Sequence, residues 1–88
     1  MLLNDEQIEY RIDALERERS KLRRDEGEAA ESDRMKRVSA SASRLADIRI
    51  ELDRLWDYLR QRRALRAAGE DPATAGIRDA YTVQHYLG

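Results

Sequence analysis

Residues 45–69, LADIRIELDRLWDYLRQRRALRAAG, decide the fold. Leu45, Ile48, Leu52, Leu55 and Leu59 recur in alternating steps of three and four, the period of one helix face, and Trp56 is expected beside them in the same seam. Val38 extends the stripe backwards, whereas past Leu59 the face turns basic at Arg62, Arg63 and Arg66. A sparser stripe of Ile50, Tyr58 and Leu65 lies on roughly the opposite side, so this helix has two faces to cover. Gly69, followed by Glu70, Asp71 and Pro72, is a stop signal: a left-handed glycine just past the helix, then a proline that blocks continuation.

Upstream, Asn4 and Gln7 have the spacing of a capping box, and Leu3 and Ile8 that of a hydrophobic staple. They predict a first helix over about residues 5–26, roughly 33 Å long. Its seam reads Ile8, Ile12, Leu15 and Leu22, with Arg19 interrupting it as a polar residue that can fix register. GEAAES, residues 27–32, reads as a connection, and the long helix is expected over about 33–68, its weakest section being the serines Ser39, Ser41 and Ser43. Residues 69–78 read as a turn. Asp79 can cap a short final helix over about 79–87 that carries Tyr81, Val83, Tyr86 and Leu87.

A connection this short makes the two long helices antiparallel neighbours. Counting outward from it sets Leu22 near Val38, Leu15 near Leu45, Ile8 near Leu52 and Leu3 near Trp56, and leaves the end of the long helix, from about Tyr58, as an overhang. The tail is expected to fold back with Val83 and Tyr86 near Leu65 and Arg62. The fold class is thus all-α, an antiparallel two-helix hairpin plus a short C-terminal helix. One hairpin cannot cover both faces of the long helix, so a homodimer forming a four-helix bundle is expected.

Composition agrees. The chain has 88 residues, 40% of them charged, with no Phe and no Cys. That is the balance of a single helical bundle or coiled-coil domain. The lack of Cys removes disulfides, thiolate metal sites and a Cys nucleophile. A formal charge of -1 supplies no global attraction to nucleic acid or anionic membranes. No apolar run approaches the roughly 20 residues of a membrane span, and the N-terminus lacks the plan of a secretory signal, so a cytoplasmic protein is the expectation.

The candidate chemistry is thin. His85, the only histidine, has no orienting partner or company for catalysis or metal binding. Glu6, Glu9, Asp13 and Glu16 lack the Glu-x-x-His pairs of di-iron bundles and read as a solvated face, with Asp13 paired to Arg17. No catalytic, cofactor or metal residue is assigned. Arg60, Arg62, Arg63 and Arg66 form the sharpest local feature. Functionally, they suit phosphates or a partner's acidic segment; structurally, they suit ion pairs with Glu70, Asp71 and Asp79 and the negative end of the helix dipole. Tyr10 projects from the far side of the first helix, as an exposed or subunit-contacting aromatic.

The segment LDRLWDYLRQRRALRAAGEDP, residues 52–72, followed by Ile77-Arg78 and by Val83, Tyr86 and Leu87, resembles the small, mainly actinobacterial proteins of the domain of unknown function 2630 family. The family pattern has the look of L-D-x-x-W-D-L-L-R-Q-R-R-A-x-R-x-x-G-x-D-P, then V-R-P and V-V-x-x-Y-L. Here Asp79 stands where the family tends to have Pro, replacing a proline helix start by a side-chain cap. The resemblance implies an actinobacterial or phage origin and carries no activity.

The function expected from the sequence is therefore a non-enzymatic interaction or scaffolding module. It would self-associate through its seams and bind an unidentified protein with Arg60, Arg62, Arg63, Arg66, Tyr58, Leu65 and Tyr86. Nucleic-acid binding by the same arginines across a dimer is the alternative.

Overall fold

The computed structural model describes the backbone of residues 3–26 and 31–78 and the side chains of residues 3–25 and 40–78. Helix α1 spans Asp5–Glu26 and helix α2 spans Glu31–Ala67; a 3₁₀ turn follows over Pro72–Thr74. Among the described residues there is no strand, and the all-α hairpin is the observed class. The expected final helix, with Tyr81, Val83, His85 and Tyr86, lies outside the described residues.

Local chemistry sets both ends of the hairpin. The Gln7 backbone N–H donates to Asn4 Oδ1 at 2.8 Å and the Asn4 N–H donates to Gln7 Oε1 at 3.0 Å, so the capping box is closed reciprocally. At the end of α2, Gly69 adopts φ 75°, a conformation that an L side chain strains to reach. The Glu70 N–H then reaches Leu65 O at 2.8 Å and the Gly69 N–H reaches Arg66 O at 3.1 Å. This pair of bonds satisfies carbonyls that the helix end would leave open.

The core is the seam between the helices: Ile8, Ile12 and Leu15 from α1 against Ile48, Leu52, Leu55, Tyr58 and Leu59 from α2, with Ala75 added from beyond the turn. Leu3, Leu22 and Leu65 pack on its edges and Leu45 is half-buried. Ion pairs Arg11–Glu51 (2.9 Å) and Arg44–Glu18 (2.5 Å) bridge the helices within a turn of the expected register. Arg44 meets Glu18 through two nitrogens, and this fork holds the Glu18 carboxyl below its usual pKa.

Two residues exchange their expected places. Trp56, assigned to the seam, is 41% exposed, while Tyr58, assigned to a partner surface, is 2% exposed. On an ideal helix each lies roughly 80° from the centre of the seam, on opposite flanks, so periodicity gives them equal claims to burial. The return of the chain after Gly69 breaks the tie. Pro72 to Arg78 runs back along the Tyr58 flank, its carbonyls received by α2 side chains: Arg62 Nη1 donates to Pro72 O (3.2 Å), Gln61 Nε2 to Gly76 O (2.8 Å) and Arg54 Nε to Arg78 O (2.8 Å). Asp57, 3% exposed beneath this strap, accepts from Gln61 at 2.9 Å and lies 3.5 Å from Arg78. Among the described residues no comparable segment covers Trp56.

Since Ile48 is fully buried and Asn4 closes the cap, Ile48→Ala is expected to lower unfolding free energy by about 2 to 5 kcal/mol. Asn4→Ala is expected to lower it by about 1 kcal/mol. Urea denaturation followed by circular dichroism measures both.

Candidate functional site

The arginine run divides by helical angle into groups with different work. Arg62 is 9% exposed, and its Nε donates to Asp5 Oδ1 at 2.6 Å. Arg66 reaches the other oxygen of the same carboxylate at 2.9 Å, and Arg63 reaches Glu9 at 3.3 Å. The acids that these arginines meet are therefore on the first turns of α1, not Glu70 or Asp71; Asp79 lies outside the described residues.

The end of α2 runs past the start of α1, with Ala64, Ala67 and Ala68 exposed, and side-chain direction explains how Asp5 nevertheless reaches it. Helical side chains lean toward their own N-terminus. In an antiparallel pair, Asp5 leans toward the C-terminal end of α2 while Arg62 and Arg66 lean back toward Asp5. The gap between their backbone levels is closed from both sides. An acid in the first turn of α1 also faces favourable helix charge, and the arginines sit at the favourable end of α2.

The electrostatics follow. The Arg62 hydrogen bond, then that of Arg66, holds the Asp5 carboxyl below its ordinary value against the opposing effect of burial. Arg62 is raised by Asp5 and further by the Tyr58 hydroxyl. Tyr58 in turn donates weakly to Leu3 O at 3.4 Å. Tyr58 and Arg62, expected at a partner surface, are thus internal fasteners; Leu65 is half-buried against the core, and Tyr86 lies outside the described residues.

Among the described residues, what remains accessible is the other flank. Arg49, Trp56 and Arg63 are spaced by seven residues, about two turns, and Arg60 lies one turn past Trp56. Arg49 and Arg60 are exposed and make no ion pair with a described residue. The Arg63–Glu9 contact shows which edge of α1 borders this flank, and Glu6, Glu9, Asp13 and Glu16 continue that edge in steps of three and four. Asp13 is bonded to Arg17, whereas Glu6 and Glu16 make no ion pair with a described residue. The flank therefore carries an exposed tryptophan and a basic strip on α2 beside an acidic strip on α1. Sequence reasoning grouped the arginines by proximity along the chain; sorting them by helical angle separates Arg60 from Arg62 and brings Arg49 in.

On the strapped side a groove of about 520 Å³ is lined by Leu3, Gln7, Arg11, Leu55, Arg54 and Ile77, among others, with no convergent acid-base set. Among the described residues no cluster of His, Cys, Asp and Glu could hold a metal ion, and no helix is long and apolar enough to cross a membrane.

A carboxylate whose pKa is lowered by folding adds stability that is complete above the unfolded aspartate value, about 3.9, and is lost as pH falls through the folded value. Asp5→Asn is therefore expected to be less stable than the parent at neutral pH, with the difference shrinking below pH about 4. Arg62→Lys is expected to lower the melting temperature more than Arg60→Lys, because a single ammonium cannot serve both Asp5 and Pro72 as the guanidinium fork does. Thermal denaturation across pH measures both effects.

Uncharacterized proteins of Mycobacterium tuberculosis and Mycobacterium bovis are 52% identical to this chain over 50 residues, 57% of this chain and 58% of each relative. The chain thus spans somewhat under six-tenths of the length of the curated relatives it matches. No solved structure matches it. A family described as "Protein of unknown function (DUF2630)" matches residues 4–88, in keeping with the resemblance carried by residues 52–72, and the chain belongs to that family.

Proposed function

We propose that the chain is a non-enzymatic helical interaction module that meets another protein through the flank of α2 centred on Trp56. The observation that carries this reading is the 41% exposure of the only tryptophan, with Arg49 and Arg60 on either side of it free of ion pairs to described residues. A large aromatic beside guanidinium groups is the composition of interface anchors, since both bury much surface and keep directional contacts.

The alternation of charge along this flank supports a protein rather than a nucleic acid as the counterpart. Arg62 and Arg66 are both engaged by the one carboxylate of Asp5, and the acidic edge of α1 lies alongside the remaining arginines. A phosphate backbone laid on the basic strip would run beside carboxylates, which repel it. A mixed protein surface meets no such conflict.

The test places a photo-reactive benzoylphenylalanine at position 56, with position 46, exposed and well around the helix, as control. Irradiation of living cells is expected to yield a discrete protein adduct from position 56 and none from position 46. An adduct removed by nuclease, or no adduct at position 56, overturns the reading.

A further inference from the structure

The geometry points to a second copy of this chain as the occupant of the Trp56 flank, in one specific arrangement: a two-fold axis parallel to the helices that sets α2 of each copy against α1 of the other. The inference rests on the proposed contact role of that flank and adds its partner and orientation.

The argument starts from charge. On this flank α2 contributes Arg49, Arg60 and Arg63 with one acid, Asp53, at its outer edge, and α1 contributes Glu6, Glu9, Asp13 and Glu16. Two flanks can meet face to face about a two-fold axis lying in the plane between them, either along the helices or across them. An axis across the helices stacks α2 on α2 and α1 on α1, so arginine strip meets arginine strip. An axis along the helices exchanges them, and each basic strip faces an acidic one. The surface is self-complementary only in the second case, the condition for an isologous dimer.

The levels along the helices agree as well. Because α1 and α2 are antiparallel and Arg11 is tied to Glu51, moving two residues on from Arg11 and two back from Glu51 brings Asp13 level with Arg49. An axis along the helices preserves level, so Arg49 of one copy faces Asp13 of the other. At the far end the same count, five back from Arg11 and five on from Glu51, sets Glu6 level with Trp56, one turn short of Arg60, and the lean of both side chains toward their own N-termini spans that turn as it does for Arg62 and Asp5. Trp56 lies between these two contacts and is covered by the neighbouring α1. Each pair occurs twice by symmetry, and each α2 meets the other copy's α1 in the antiparallel sense that it already has with its own.

Sedimentation equilibrium of the full chain from micromolar to millimolar concentration tests this, with Trp56 emission as a second readout. The parent chain is expected to dimerise, with emission shifting to the blue as it does. Arg49 and Arg60 are exposed and pair with no described residue, so Arg49→Glu with Arg60→Glu can be made without disturbing the core; this variant is expected to dimerise at least roughly tenfold more weakly. Glu6→Arg with Asp13→Arg is expected to weaken it similarly, and an equimolar mixture of the two variants, or all four changes in one chain, is expected to restore association. A parent chain that stays monomeric throughout, whether Trp56 is then solvated or covered by the chain's own last residues, overturns the proposal, as does a dimer indifferent to both charge reversals. If position 56 crosslinks to a different protein while the chain remains monomeric, the contact role stands and the second copy fails.

Discussion

The Arg62 guanidinium joins three parts of the chain that sequence distance keeps apart. It leaves α2, binds Asp5 in the first turn of α1 and donates to the carbonyl of Pro72 in the return strap. Withdrawing a cation this far from water is costly unless its N–H groups find partners. The requirement is therefore geometric: α1 must begin and the strap must turn where the fork of one arginine can reach both. Arg66, sharing the Asp5 carboxylate, fixes the same point from the next turn.

From that junction the burial pattern follows. The strap is led onto one side of α2, where Gln61 and Arg54 receive its carbonyls, and Tyr58, Asp57 and Ala75 are covered as a result. The hydroxyl of Tyr58, pointing at Leu3 O and at Arg62, returns the favour by anchoring the segment that enters α1. Apolar burial and polar satisfaction therefore act at the same place: the aromatic ring completes the core while its oxygen stays within the network around the clamp.

The pieces legible in the sequence are those written in local chemistry. The capping box, the helical seam and the glycine stop each depend on residues within a turn or two, and Ile8, Ile12, Leu15, Ile48, Leu52, Leu55 and Leu59 are buried where the period sets them. Trp56 and Tyr58 were not separable, because period assigns a residue to a flank and only the path of the strap decides which flank is covered. Arg62 shows a related limit: a charge on a helix end suggests solvent until the acid that meets it is known, and that acid lies 57 residues away. Asp57 and Gln61 gave no signal, since their partners are backbone or side-chain groups of an irregular segment.

The asymmetry of the hairpin also bears on why a chain of balanced charge keeps arginines that pair with no described residue. On the strapped flank the cations have internal acceptors, whether carboxylates or carbonyls: Arg11, Arg44, Arg54 and Arg62. On the open flank Arg63 has one, and Arg49 and Arg60 have none among the described residues. If solubility were the sole demand there, acidic residues or lysine beside the tryptophan would serve as well, and a smaller polar residue would serve better than the indole itself. An exposed indole set between guanidinium groups that pair with no described residue instead gives a surface that gains both apolar contact and charge pairing when an acidic helical edge covers it, and α1 has such an edge.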